Sequence, residues 1–150
     1  MKKLYFAHPI NTYAENTRGT PNENLERDLL ALIAKKFPHH EIVNPSDSVH
    51  ADKVAELRKD DPKVNVMPYF TDLVASCDDL VGYPFGDDMW GAGMWAEGDV
   101  ILGKGGFAWV IHPTDRRITF VPDIPAEMRL SVDETRARIR NPDGTSKLYV

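Results

Sequence analysis

The sequence predicts a single-domain α/β fold, a parallel sheet covered by helices on both faces. Short apolar runs alternate with longer segments of helical spacing, the pattern of βαβ units. The runs around "LYFA", "EIV", "DDLVG" and "GFAWVI" are closed by the pairs His8-Pro9, Asn44-Pro45, Tyr83-Pro84 and His112-Pro113. Proline cannot donate to a sheet ladder, so each pair marks a strand's exit. A chain of 150 residues suits one sizeable core.

Taken in order, Leu4 to Ala7 is a buried first strand. The polar, turn-rich stretch "NTYAENTRGTPNEN" is a loop. Leu25, Leu29, Leu32, Ile33 and Phe37 then recur at helical spacing, and Pro38 ends that helix. "EIVNP" is the second strand, "ADKVAELRKDD" a polar helix, and a further helical stretch runs from Pro62 to about Cys77. "DDLVGYP" is the third strand, "GFAWVIHP" the fourth and "ITFVPD" a short fifth. Residues 1–123 form the domain. Residues 124–150 hold a charged helix, "SVDETRARIR", and an arm that is either solvated or docked on a partner subunit.

The net charge of -5 argues against a polymeric nucleic acid or a membrane surface as partner, since both need a basic face. A small anionic ligand remains open, because a helix N-terminus binds anions whatever the global charge. Cys77 is the single cysteine, which points to a reducing, cytoplasmic setting, and no apolar run reaches membrane-spanning length.

In a parallel α/β sheet ligands bind beyond the carboxyl ends of the strands. His8, Asn44, Tyr83 and His112 are therefore expected along one rim, with His8 and Asn44 as substrate contacts. The stretch "GAGMWAEGDVILGKGG" leads from that rim into a helix. Gly91 and Gly93 leave the backbone bare for a ligand, and Trp95 and Trp90 suit stacking on a planar ring. With the helix starting near Met94 or Trp95, Glu97 lies in its first turn. There the dipole favours an anion, so Glu97 is either a dipole-matched glutamate or an ionised nucleophile. In the first loop, Arg18 with Asn11, Thr12 and Thr17 offers donors for a 5'-phosphate. Asp72, Asp78 and Asp79 gather near the third strand, where an acid on the preceding helix reaches the rim beside Glu97 as a proton donor.

Other chemistries find less support. The first loop lacks G-x-G-x-x-G, and neither G-x-x-x-x-G-K-[ST] nor G-x-S-x-G occurs, so no cofactor is expected. His8 and His112 show none of the spacings of a metal site, and no metal is expected.

"KLYFAHPI", "CDDLVGYPFGDD" and "GMWAEGDVILGKGGFAWVI" together resemble the nucleoside 2-deoxyribosyltransferase-like superfamily, which includes 2'-deoxynucleoside 5'-monophosphate N-glycosidases. Gly93 and Glu97 match its G-x-x-x-E helix start, and Gly105 stands where its helix-ending glycine falls. His8 replaces a glycine of the family's A-G-P. The resemblance spans most of residues 2–112. It implies a flavodoxin-like (Rossmann-like) parallel five-stranded sheet and a glutamate nucleophile, Glu97. That carboxylate attacks the anomeric carbon of a deoxyribosyl group while an acid assists the departing base. Water or a second base then resolves the covalent intermediate. The resemblance further implies catalytic roles for Asp72 and Tyr13, and a homodimer or higher homo-oligomer that completes sites across subunits. The expected function is cleavage or transfer of the N-glycosidic bond of a nucleoside or its 5'-monophosphate. The alternatives are a non-catalytic nucleotide-binding sensor or accessory module and, behind it, a metal-dependent hydrolase built on His8 and His112.

Overall fold

Leu4, Tyr5, Phe6 and Ala7 are all fully buried in β1 (Lys2–Ala7), so neither face of this strand meets water. That is the behaviour of a strand inside a sheet covered on both sides. The computed structural model of the chain describes residues 1–9, 21–139, 142 and 143. In it β1 pairs in parallel with β2 (His40–Val43) and with β3 (Asp79–Gly82). On the far side of β3, β4 (Ala108–Ile111) continues the parallel set.

The fifth strand departs from the expected all-parallel sheet. β5 (Ile118–Val121) runs antiparallel to β4, closing a sheet of order β2-β1-β3-β4-β5. A parallel connection needs about a dozen residues or more, usually with a helix. The link from Ile111 to Ile118 is a tight turn instead, held by Arg116 N–H donating to the His112 carbonyl at 2.7 Å, with Arg116 at φ 58°.

Helices cover both faces. α1 (Pro21–Lys36) packs Leu29 and Ile33, followed by Phe37, onto Leu4, Phe6, Val81, Tyr83 and Ile111. Alternate residues of the same strands, Tyr5, Ala7, Leu80, Ala108 and Val110, face the opposite way. There they meet Val74 of α3 (Met67–Ala75) and Met94 and Ile101 of α4 (Ala92–Gly103). α2 (Ser48–Asp60) buries no residue of its own. The chain leaves β1 for β2 on one side and reaches β3 on the other, so the sheet's switch point lies between β1 and β3, where ligands bind in such folds.

α4 is fixed at both ends and in its middle. Its C-terminus closes as a Schellman motif: Gly106 N–H donates to the Ile101 carbonyl at 2.9 Å and Gly105 N–H to Leu102 at 3.1 Å, with Gly105 at φ 86°. Ahead of the helix, Trp90 is 3% exposed and lies against Gly82, where an added Cβ would sit 2.6 Å from the indole. At the N-terminus, the first helical N–H, of Ala92, donates to Thr135 Oγ1 at 2.9 Å.

Thr135 belongs to α5 (Val132–Ile139), which starts with a capping box between Ser131 and Glu134. This C-terminal helix docks on its own domain. Ile139 and Leu130 bury against Phe85, and Arg138 grips Asp87 through two 2.7 Å bonds. The ion pair is partly exposed and stabilises by at most about 1 kcal/mol. Burial of an Ile or Leu side chain contributes about 1.5–3 kcal/mol, so the apolar contacts hold the helix down.

Gly82→Val tests the Trp90 packing. Valine is the better strand residue, so the expected loss of about 1–3 kcal/mol in urea denaturation reads the collision with the indole directly.

Candidate active site

At the carboxyl ends of β1 and β2 a polar cluster forms. His8 follows β1 and stacks on Phe6 with centroids 4.1 Å apart and planes 3° off parallel. Its Nδ1 lies 3.0 Å from the Phe6 carbonyl, which can only accept, so Nδ1 is the donor there. Nε2 meets Ser46 Oγ at 3.0 Å and Glu26 Oε1 at 3.3 Å. Asn44 Nδ2 donates to the same Glu26 oxygen at 2.8 Å, and Asn44 Oδ1 accepts from Ser46 N–H at 3.0 Å. Burial raises the Glu26 pKa, but the hydrogen bonds from His8 and Asn44 outweigh it and hold the carboxyl below its ordinary value. His8 and Asn44, expected as substrate contacts, thus reach the rim together, yet their polar atoms serve a network that ties β1, β2 and α1 to one another.

A second buried carboxyl behaves in the opposite way. Glu97 is the sixth residue of α4, past the first turn, because the helix begins at Ala92 and not near Met94 or Trp95. The expectation of a carboxylate kept ionised by the dipole is therefore corrected. Burial pushes Glu97 up to about 8, and among the described residues the opposing influence is the Tyr5 hydroxyl. Glu97 retains some contact with solvent, so it is not sealed in. Tyr5 is fully buried. Burial first, and then the neighbouring Glu97 carboxyl, hold its hydroxyl protonated far above the usual range. Among the described residues that hydroxyl has no hydrogen-bond partner of acceptable geometry, so Tyr5 and Glu97 are electrostatic neighbours without a formed bond. An orphaned buried hydroxyl is rare and asks for an explanation.

Tyr69, on α3, also acts electrostatically on Tyr5. Its hydroxyl lies 2.6 Å from His50 Nδ1 of α2. Asp72, the expected acid on α3, is instead exposed to solvent. Three residues along a helix turn a side chain by nearly one full turn, yet Asp72 is exposed while Tyr69 is half-buried. Tyr13, Asn11 and Arg18 lie outside the described residues.

The helix start is occupied from within the chain. Gly91 is the N-cap of α4, and an added Cβ there would meet the Thr135 methyl at 3.2 Å. Thr135 takes the Ala92 N–H, so Gly91 leaves little bare backbone, whereas Gly93 faces open space. Trp95 is not free to stack on a ligand in the expected way: its Nε1 donates to the Leu130 carbonyl at 2.8 Å and Arg129 lies 5.0 Å over its ring. Trp90 is core.

Other groups are structural. His112 Nε2 bonds Thr119 Oγ1 at 2.7 Å within the β4–β5 turn. The Cys77 thiol is buried and pushed up by that burial, the reverse of an activated nucleophile. Among the described residues no group of three or more His, Cys, Asp or Glu is placed to hold a metal ion. A cavity of about 160 Å³ at the amino end of the sheet is lined by Lys104 and Asp79. Both are already engaged, Lys104 with the Ala75 and Cys77 carbonyls and Asp79 with His40 and Phe107.

No described helix is long and apolar enough to cross a membrane. The chain matches no protein-family model, no curated protein and no solved structure.

The raised Glu97 pKa ties stability to pH. A carboxyl raised from 4.5 to about 8 contributes its full stability below pH 4.5 and loses it as pH climbs through about 8. Against Glu97→Gln, which has no such titration, the wild type is expected to lose on the order of 3 kcal/mol over that window, allowing for its partial contact with water. Denaturation midpoints of both proteins from pH 4 to pH 9 check this, and parallel curves would refute it. Tyr5→Phe moves the wild-type inflection to higher pH, since the hydroxyl opposes the upward shift.

Proposed function

We propose that the protein cleaves or transfers the N-glycosidic bond of a (deoxy)nucleoside or its 5'-monophosphate, with Glu97 as nucleophile. The observation that carries this reading is a carboxyl enclosed against an unpartnered Tyr5 hydroxyl, beside the switch point of the sheet. Structural carboxyls in this protein are satisfied, as Glu26 is by His8 and Asn44. Buried titratable groups left with a strongly shifted pKa gather at functional sites.

The chemistry follows from the surroundings. Departure of a nucleobase leaves an oxocarbenium-like sugar, and a carboxylate in a poorly solvated site stabilises that charge far better than one in water. The Tyr5 hydroxyl is placed to donate to Glu97 once the carboxyl ionises, so both groups gain a partner in the reacting state. The G-x-x-x-E spacing of Gly93 and Glu97 and the flavodoxin-like order of the first four strands support the same reading. The partner is then a small nucleoside or nucleotide without metal or cofactor, in a cytoplasmic homo-oligomer.

One observation favours a second reading. A carboxyl protonated at neutral pH grips a ligand's hydroxyl groups readily but does not attack. A nucleotide-binding sensor that uses Glu97 and Tyr5 in this way binds saturably and releases no base.

Chromatography of free base released from a panel of deoxynucleosides and monophosphates decides between them. Release is expected, with Glu97→Ala lowering it by about 10³-fold or more while circular dichroism stays native. Because attack requires the carboxylate, kcat/KM is expected to rise with pH and level off above about 8. A fall in kcat/KM through that pH marks Glu97 as a proton donor and removes its role as nucleophile.

A further inference from the structure

Expulsion of a nucleobase by a carboxylate nucleophile needs a second group that hands a proton to the departing ring nitrogen. Asp72 does not meet that need, because it is exposed on α3. We propose that Tyr69, held by His50, is the proton donor to the departing base, an inference that rests on the glycosidic reading of the Glu97 site.

Tyr69 lies in the first turn of α3 and is half-buried. The Phe70 ring packs edge-on against it with centroids 5.2 Å apart, and the His50 ring stands 5.8 Å away at a 57° tilt. Its hydroxyl is fixed by a 2.6 Å bond to His50 Nδ1, short for such a contact. His50 sits in the first turn of α2, which starts just beyond the carboxyl end of β2. The dyad is therefore on the rim side of the sheet. α3 and α4 pack against each other on the face of the sheet that carries Tyr5, so Tyr69 at the start of α3 and Glu97 of α4 belong to the same layer.

The step balances within these residues. A Glu97 carboxylate oxygen forms a bond to the anomeric carbon as the carbon–nitrogen bond breaks, and that electron pair leaves with the base. The base nitrogen takes the Tyr69 hydroxyl proton, and the phenolate left on Tyr69 accepts a hydrogen bond from His50 Nδ1–H. When water resolves the glycosyl ester, its proton returns to the Tyr69 oxygen and Glu97 departs as carboxylate.

A merely structural tie between α2 and α3 uses the same bond, since α2 buries no residue and needs an anchor. Leaving-group dependence separates the two roles. N7-methyl-2'-deoxyguanosine 5'-monophosphate carries a base already cationic, which departs without protonation. The wild type, Tyr69→Phe, His50→Gln and Glu97→Ala are compared on it and on the unmodified monophosphate cleaved fastest. Tyr69→Phe is expected to lower kcat on the unmodified substrate by about 10²-fold or more and to leave the methylated one nearly unchanged. His50→Gln follows the same pattern less steeply, and Glu97→Ala loses both substrates. Equal losses on both substrates, no loss on either, or a Tyr69→Phe chain that does not fold overturns the proposal alone. A wild type that releases no base from either substrate removes the glycosidic reading and the proposal with it.

Discussion

Burial of β1 on both faces is the constraint from which the candidate site follows. With Leu4 to Ala7 fully enclosed, side chains that alternate along the strand commit to opposite layers. Phe6 goes to the α1 side and supports the His8 ring, while Tyr5 goes to the α3–α4 side and carries its hydroxyl under Glu97. A slip of one residue in β1 would exchange these faces and place a phenol beneath α1 and an apolar ring beneath the glutamate. The parallel pairs Leu4 with Ile42 and Leu4 with Asp79 fix the register from both sides.

The two enclosed glutamates show how differently one fold treats the same side chain. Removing a carboxylate from water costs several kcal/mol. Hydrogen bonds to a charged group return roughly 1.5–3 kcal/mol each. Glu26 has Asn44 at 2.8 Å and His8 at 3.3 Å, and its pKa falls. Glu97 faces the Tyr5 hydroxyl without a well-formed bond, and its pKa rises. The first arrangement is complete without any ligand. The second has, among the described residues, only the Tyr5 hydroxyl to set against its desolvation.

Much of the fold was legible because its signals are local. The X-Pro pairs marked the ends of the first four strands, and Pro38 marked the end of α1 just past Phe37. The direction of β5 was also readable, though not from its apolar residues: the short link from Ile111 to Ile118 excludes a crossover. The start of α4 was hidden, since Ala92 is capped by Thr135 from far along the chain. Asp72 was named for its place on the helix before the third strand and by the family resemblance, and its exposure depends on how α3 lies on the sheet. Glu26 and Tyr5 were missed, but Glu26 had a usable signal. It falls on the buried stripe with Leu29 and Ile33, as Glu97 does with Met94 and Ile101. An acid on an apolar stripe requires either a partner or a purpose. Tyr5 gave no such sign, because in sequence it is one more aromatic in a buried strand.

The glutamate's position within α4 also decides what tunes it. A helix dipole favours an anion only within the first turn, and there it lowers a carboxyl pKa. Glu97 lies beyond that turn, and its pKa is raised. Desolvation therefore governs, and the helix contributes little. The α4 N-terminus is in turn engaged by Thr135, with Trp95 pinned beside it by Leu130 and Arg129. The C-terminal helix thus takes up the helix end that an anionic ligand group would use in a simpler α/β protein. On the proposed glycosidic reading, charge stabilisation at Glu97 then comes from the Tyr5 hydroxyl and from the cationic character of the sugar as its base departs.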